Sequence, residues 1–327
     1  MKPFTLLAGT ASRHLAKAIA AEVGVPLGAA LVERFPDGET AVRIDAPVRD
    51  RDVFVIQATS PPVNDRLIEL LAFVDACRRA AAARIIAVVP YFGYARSDRR
   101  SGRCEPIMAG LTAELIQAAG VDHVVAVDAH TAQFEGFFRI PCDVLSAVPA
   151  LAEAIGDEIS MDAVVVAPDL GAADRAAELA ERFGTSYAVL DKRRTSGTTV
   201  EVARVFGDVR GRPCVVVDDM ISTGGTIAEA VRALRDAGAR PEVTVVATHA
   251  VLSGPARERL LALELRALVL TDTIPVATDA WPKARIVSVA PLIAAAIRRL
   301  AEGAAPRVPE YEGPRRASTR SGERRSA

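Results

Sequence analysis

Short runs of β-branched residues alternate with longer segments of helical periodicity along most of this chain. The runs at residues 53–57, 84–90 and 123–128 are separated by segments in which apolar residues recur every three or four positions. Continuous apolar strands are typical of a parallel sheet that is covered by helices on both faces. The alternation therefore predicts an α/β fold, and Asn64 is predicted to cap the first of these helices.

The same rhythm continues in the second half of the chain. Apolar runs recur at residues 163–169, 186–192, 213–219, 242–250 and 267–273. Because 327 residues are enough for two domains of ordinary size, and because the composition at 141–149 is typical of a loop, we predict domains over 1–145 and 146–302. Residues 303–327 are rich in Arg, Ser, Gly and Pro, and this composition predicts a disordered tail.

The charge balance excludes several classes of partner. Forty Lys and Arg residues face forty-one Asp and Glu, so no overall field attracts nucleic acid or an anionic membrane. No apolar run approaches the roughly 20 residues that span a bilayer, and the run at 4–8 is too short for a signal peptide. Four cysteines without a C-x-x-C pair favour a reducing compartment. We expect a cytoplasmic protein that binds neither nucleic acid nor membrane.

The stretch VVVDDMISTGGTI at 215–227 places two carboxylates, Asp218 and Asp219, directly before a turn and a helix. The turn residues that can bind an anion are Ser222, Thr223, Gly224, Gly225 and Thr226. Backbone N–H groups, hydroxyls and the helix dipole at such a turn favour phosphate. The acids repel phosphate, but they accept hydrogen bonds from vicinal ribose hydroxyls. The stretch predicts a ribose 5-phosphate site; the alternative is a helix cap beside solvated acids.

This stretch resembles the phosphoribosyl pyrophosphate (PRPP) motif of type I phosphoribosyltransferases and PRPP synthetases. Six further segments resemble ribose-phosphate pyrophosphokinases: FPDGE at 35–39, VVPYFGYARSDRR at 88–100, VDAHTAQFEGFF at 127–138, APDLGAADRA at 167–176, DKRR at 191–194 and DTIP at 272–275. The resemblance covers residues 4–302. It implies two tandem type I phosphoribosyltransferase-like (Rossmann-like) domains with parallel sheets, and it allows the last helix to pack back on the N-terminal domain.

The resemblance also implies a reaction and its residues. The diphosphoryl group of ATP would pass to the C1 hydroxyl of ribose 5-phosphate, giving PRPP and AMP, with Mg²⁺ held by His130 and Asp169 directly or through water. Lys192 and Arg194 would be catalytic, because phosphoryl transfer depends on cations aimed at the moving group. The residues implied in ATP binding are Phe35, Asp37, Gly38, Glu39, Arg96, Ser97 and Arg99. In the family the adenine loop reaches a neighbouring subunit, so a homo-oligomer is implied.

Two other functions stay open on the sequence. A type I phosphoribosyltransferase would consume PRPP and would need a hood for the base, and the FPDGE segment and the second domain argue against it. A non-catalytic subunit that regulates a true synthetase would not need the metal, catalytic and sugar-binding residues that this chain retains.

Ser222 stands where the commonest bacterial pattern has Asp, and its hydroxyl is expected to donate to the phosphate.

Overall fold

The structure is a computed structural model that describes residues 3–100, 102, 104–194, 200–277, 281 and 284–303. At 192–194 and 200–203 it describes the backbone without the side chains. Apart from Gly303, the predicted tail lies outside the described residues. No helix in these described ranges is long and apolar enough to cross a bilayer.

The first half of the chain forms a parallel sheet with helices packed on it, which we call the N-terminal lobe. Its elements are β1 (Phe4–Ala8), α1 (Arg13–Val23), β2 (Ala30–Arg34), β3 (Thr40–Ile44), β4 (Asp52–Ile56), α2 (Val63–Arg79), β5 (Arg84–Val89), α3 (Met108–Ala119), β6 (His123–Val127), a 3₁₀ helix (Ala132–Phe137) and β7 (Cys142–Leu145). The sheet order is β1-β4-β5-β6-β7, with every pair parallel. Strands β2 and β3 form a separate antiparallel hairpin.

The second half repeats this plan as the C-terminal lobe. Its elements are α4 (Val148–Ile155), a 3₁₀ turn (Gly156–Glu158), β8 (Val164–Ala167), a second 3₁₀ turn (Leu170–Ala172), α5 (Ala173–Phe183), β9 (Ser186–Arg194), β10 (Val200–Phe206), β11 (Cys214–Ile221), α6 (Gly225–Asp236), β12 (Val243–Ala250), α7 (Ala256–Leu261), β13 (Ala267–Thr271), β14 (Ala284–Val287) and α8 (Ala290–Glu302). The sheet order is β10-β9-β8-β11-β12-β13-β14. Strand β10 pairs antiparallel with β9, and the other described pairs are parallel.

Apolar sequence accounts for most of these elements. Every residue of β4, β11 and β12 is buried, as expected for strands covered on both faces. The predicted cap at Asn64 is wrong. Helix α2 begins one residue earlier, at Val63, directly after Pro62. The side-chain oxygen of Asn64 instead accepts a hydrogen bond from the hydroxyl of Tyr94, so it is not used to cap the backbone.

The last helix of the chain packs on the first. Helix α8 lies against α1, and both helices contribute to one buried cluster that contains strand residues of both lobes. Ile293 and Ile297 are fully buried in it, and burial of each stabilises the contact by about 1.5–3 kcal/mol. Arg298 donates to the carbonyl of Glu22, and the Nη2 atom of Arg84 donates to the carbonyl of Leu300 at 3.0 Å. These contacts join the two lobes on the side of α1 and α8.

The second sheet changes its direction of winding at β8, which pairs with β9 on one side and with β11 on the other. Ligands of open α/β sheets bind beyond the carboxyl ends of the strands at such a point, where a crevice opens between the diverging connections. The crevice beyond β8 and β11 is therefore the position in this fold where a binding site is expected.

Candidate functional site

The two acids of the DD pair lie at this crevice, but inside strand β11 rather than after it. Strand β8 pairs with β11 only as far as Val216, whereas β12 continues its pairing to Ile221. Asp218 and Asp219 therefore stand in the part of β11 that has lost its neighbour on the β8 side. Both side chains are buried. The sequence predicts acids that follow the strand, and the strand is longer because β12 supports it.

The acids have different electrostatic surroundings. Burial raises the pKa of Asp218 well above its usual range, and the negative charges of Asp219 and Asp169 raise it further. Burial would also raise the pKa of Asp219, but the hydrogen bond and charge of His130 and the charge of Arg175 outweigh it, so this pKa is lowered. The backbone N–H of Asp219 donates to Asp218 Oδ1 at 2.9 Å. The pair thus favours the approach of a cation or of hydroxyl donors.

His130 comes from the other lobe. It lies between the end of β6 and the 3₁₀ helix Ala132–Phe137, and its Nδ1 atom is 2.7 Å from Asp219 Oδ2. This hydrogen bond raises the pKa of His130, against the opposing effect of burial. The next residue, Thr131, donates from its hydroxyl to Asp98 Oδ2 at 2.9 Å. The crevice is therefore formed by both lobes.

A buried polar network holds the end of β6 against β12. The carboxylate of Asp128 accepts hydrogen bonds from the hydroxyl of Thr248 and, at 3.3 Å, from the N–H of Ala147. The carbonyl of Asp128 lies 3.0 Å from His249 Nε2, and His249 Nδ1 lies 3.0 Å from the hydroxyl oxygen of Thr273. Burial lowers the pKa of His249 and so favours the neutral ring. We call these residues the interlobe network.

The interlobe network also sets the backbone beside the site. Asp128 has a φ of +40°, which is uncommon for a residue other than glycine. A carbonyl only accepts hydrogen bonds, so His249 Nε2 is the donor to Asp128 and Nδ1 is the acceptor from Thr273. Because His130 follows Asp128 by two residues, this contact between the lobes also fixes the approach of His130 to Asp219.

Asp169 follows β8 and caps the short 3₁₀ turn, where its Oδ1 atom accepts from the N–H of Gly171 at 3.0 Å. Its charge contributes to the raised pKa of Asp218, so it belongs to the same crevice. Within the described ranges, no three His, Cys, Asp or Glu side chains are grouped closely enough to hold a metal ion by themselves. Mg²⁺ does not require such a group, since it is commonly bound by one or two protein ligands together with waters and substrate phosphates.

The glycine turn, residues 222–226, follows β11 and includes the first two residues of α6. Gly224 has a φ of +73° and stands directly before the helix, where glycine adopts this left-handed conformation without steric cost. The first N–H groups of a helix have no partners within the helix and point out of its N-terminus. The hydroxyl of Ser222 is 3.2 Å from the hydroxyl of Ser253. If Ser253 is the donor of this pair, Ser222 keeps its own proton for a ligand.

The loop at 35–39 forms the tip of the β2–β3 hairpin. The N–H of Phe35 donates to the carbonyl of Glu39 at 2.8 Å, and the N–H of Glu39 donates to Asp37 Oδ1 at 3.1 Å. Gly38 completes the turn with a φ of +95°. Every residue of the tip is exposed, and Phe35 exposes half of its surface. The tip thus presents an aromatic ring and two acids to solvent.

The remaining sequence-predicted residues lie in two places. Arg96 is exposed and acts electrostatically on His130, so it borders the crevice, and Arg99 is exposed on the same segment after β5. Ser97 serves α3, since its hydroxyl accepts from the N–H of Met108 at 3.4 Å. The backbones of Lys192 and Arg194 pair with β10 at the end of β9, and their side chains lie outside the described residues.

Sequence reasoning missed several residues of the crevice. Arg175 lies in the first turn of α5, and its positive charge lowers the pKa of Asp219. The interlobe network was missed as a whole. A signal for it exists at 248–250, where Thr248 and His249 interrupt the apolar residues at the end of β12. A polar pair inside a buried strand requires buried partners.

The comparisons with known proteins agree with this architecture. Residues 4–120 match the N-terminal domain of ribose phosphate pyrophosphokinase, and residues 144–279 match the phosphoribosyl transferase domain. The chain is 46% identical over 305 residues to ribose-phosphate pyrophosphokinase of Clostridium tetani, covering 92% of this chain and 95% of that one. It is 47% identical over 300 residues to that of Agrobacterium fabrum, with coverage of 91% and 96%.

A solved structure gives the same result. The crystal structure of phosphoribosylpyrophosphate synthetase from Mycobacterium smegmatis superposes with a TM-score of 0.86 at 41% identity, over 92% of this chain and 100% of that chain. The similarity covers nearly the full length of both proteins and therefore includes both lobes. The chain belongs to the ribose-phosphate pyrophosphokinase family.

Proposed function

We propose that this chain transfers the diphosphoryl group of ATP to the C1 hydroxyl of D-ribose 5-phosphate, giving PRPP and AMP. One observation carries the proposal. In a single crevice, the buried carboxylates Asp218 and Asp219 stand two residues before a glycine turn at a helix N-terminus, and His130 from the other lobe is 2.7 Å from Asp219. Such a crevice suits a ligand with hydroxyls at one end and phosphate at the other.

Ribose 5-phosphate fits the chemistry of these two parts. Its phosphate would bind the N–H groups and hydroxyls of the glycine turn, where the dipole of α6 also favours an anion. Its vicinal hydroxyls would donate to Asp218 and Asp219, which repel phosphate and so set the direction of the sugar. The two acids are separated from the turn by Met220 and Ile221.

ATP would occupy the side of the crevice formed by the N-terminal lobe. His130 and Asp169 would hold Mg²⁺, directly or through water, and Mg²⁺ supplies charge neutralisation to the phosphates. In the transfer, the C1 oxygen bonds to the β-phosphorus, the oxygen that bridges the α- and β-phosphorus leaves with AMP, and the C1 hydroxyl proton is released. Lys192 and Arg194 would stabilise the charge on the moving group.

Other cations border the same path. Arg96 and Arg99 would bind ATP phosphates from the segment after β5, where both are exposed. Arg175 would offset the negative charge of the acids, since its charge already reaches Asp219. Ser97 would support this segment through its contact with the start of α3. Phosphoryl transfer relies on such positioning and charge neutralisation more than on covalent chemistry.

The exposed hairpin tip would bind adenine in a homo-oligomer. Phe35 offers a face for stacking, and Asp37 and Glu39 offer acceptors for the exocyclic amine, with Gly38 shaping the turn between them. Because the tip projects into solvent, it is available to a neighbouring subunit. We expect the enzyme to work in the cytoplasm, where its four free thiols stay reduced.

The products of the reaction test this proposal. Purified protein is incubated with ATP, Mg²⁺ and ribose 5-phosphate, and phosphorus NMR identifies what forms; D-ribose without the phosphate serves as a control. The proposal predicts PRPP with AMP, and only when the 5-phosphate is present. Formation of ADP would indicate transfer of a single phosphoryl group. A phosphoribosyltransferase would consume added PRPP with a base, and a regulatory subunit would form no product.

A further inference from the structure

One segment, residues 252–259, donates hydrogen bonds to three successive carbonyl groups, one at the end of β11 and two at the beginning of the glycine turn. The carbonyl of Ile221 accepts from the N–H of Leu252 at 2.9 Å, and the carbonyl of Ser222 accepts from the N–H of Ser253 at 2.9 Å. The carbonyl of Thr223 accepts from the side chain of Arg259, at 3.1 Å from Nη1. We call residues 252–259 the bracing segment.

These hydrogen bonds determine where the N–H groups of the turn point. In a trans peptide unit the C=O of one residue and the N–H of the next lie in one plane and point in opposite directions. A carbonyl held towards the bracing segment therefore directs the following N–H away from it. This applies to the N–H groups of Ser222, Thr223 and Gly224, one after another. Three successive N–H groups thus point away from the bracing segment, and successive backbone N–H groups of this kind can bind an anion together.

Two of these three contacts come from backbone N–H groups, and the third comes from the side chain of Arg259. It is exposed on α7, and its Nη1 atom lies 3.4 Å from the position that a Cβ atom would occupy on Gly225. The peptide unit that it holds joins Thr223 to Gly224, which has a φ of +73°. Peptide units beside glycine rotate with little steric resistance, so this unit needs an external contact to keep a single orientation.

We propose that Arg259 is a positioning residue for ribose 5-phosphate: it holds the Thr223 carbonyl outward and so keeps the Gly224 N–H directed at the 5-phosphate. This rests on the proposed function, because it assumes that the glycine turn binds the phosphate of the sugar. Arg259 acts through the peptide unit and does not touch the reacting atoms. Its removal affects the binding of ribose 5-phosphate and leaves the use of ATP unchanged.

The test compares the variants Arg259→Met, Arg259→Lys and Arg232→Met. In Arg259→Met the dissociation constant for ribose 5-phosphate, measured by calorimetry without ATP, is expected to rise about tenfold. The reason is that the Gly224 N–H no longer keeps a single orientation and donates less often to the charged 5-phosphate. The KM for ribose 5-phosphate rises with the dissociation constant, while the KM for ATP and kcat change by less than about twofold. Arg259→Lys restores most of the affinity, because an ammonium group also donates to a carbonyl.

Arg232 is the matched control. It is also an exposed arginine, and it lies about two turns after the start of α6, away from the glycine turn. If Arg259→Met binds ribose 5-phosphate within twofold of the unaltered protein, or if Arg232→Met loses as much affinity, the proposal is overturned. If the unaltered protein binds ribose 5-phosphate and Arg259→Met binds it equally well, only the role proposed for Arg259 is refuted. An unaltered protein that neither binds the sugar phosphate nor forms PRPP refutes the proposed function itself.

Discussion

Replacement of His249 by leucine tests whether the interlobe network stabilises the contact between the two lobes. Leucine fills a similar space but removes the donor to the Asp128 carbonyl, which is then buried without a partner. The hydroxyl of Thr273 keeps an acceptor, because the carbonyl of Thr248 lies 3.2 Å away. One orphaned carbonyl costs about 1–3 kcal/mol, and the lost edge-to-face contact with Tyr91, at 5.0 Å between ring centres, about 0.5–1.5 kcal/mol.

The expected loss in the free energy of unfolding is therefore about 1.5–4.5 kcal/mol. Urea unfolding measures it, followed by circular dichroism for the whole chain and by the fluorescence of Trp281, the single tryptophan, for the C-terminal lobe. His249→Gln, whose amide can donate to the carbonyl, should recover part of the loss, and exposed His14→Leu is the control. A change in His249→Leu below about 0.5 kcal/mol, which is typical of surface substitutions, would refute the reasoning.

Two further predictions concern the site. Lys192→Ala should lower kcat by about 10²–10³ with little change in the affinity for ribose 5-phosphate, and a coupled AMP-release assay that finds unaltered turnover would remove Lys192 from the mechanism. Asp219 raises the pKa of His130, so the protonated ring stabilises the fold fully below about pH 6.5, and this contribution is lost as the pH rises through the raised pKa. In Asp219→Asn the pKa of His130, followed by NMR, should fall; an unchanged value would contradict this assignment.

Strands β1, β7, β10 and β14 are not predicted from the sequence, and β7 lies within residues 141–149, which were expected to form a loop. The sequence does predict β9 and the seven strands β4, β5, β6, β8, β11, β12 and β13, whose residues are mostly apolar and buried. It also predicts the glycine turn, since the residues that form it are consecutive and their chemistry is local. The β2–β3 hairpin was recognised only as a loop, because its strands are partly exposed and short. The packing of α8 on α1 joins residues that are far apart in the chain, such as Glu22 and Arg298 at a separation of 276 positions, and the periodicity of either helix alone does not encode its partner.

The same distinction applies to the site. Asp218 and Asp219 are identified from neighbouring residues, but their unequal pKa values depend on His130 and Arg175, which reach them from other elements. His249 lies among apolar residues in the sequence of β12, but its ring makes hydrogen bonds. Only the fold shows that these reach the end of β6. Sequence motifs thus predict the candidate ligands of a site, whereas the contacts that orient those side chains come from tertiary packing.

A crystal structure of the protein with ribose 5-phosphate, Mg²⁺ and a non-hydrolysable ATP analogue tests the central claim most directly. The account predicts that the sugar phosphate lies on the N–H groups of residues 223–226, that its ring hydroxyls contact Asp218 and Asp219, and that its C1 oxygen faces the β-phosphorus of the nucleotide. A sugar phosphate bound elsewhere, or bound in the reverse direction with its phosphate at the two acids, would contradict it.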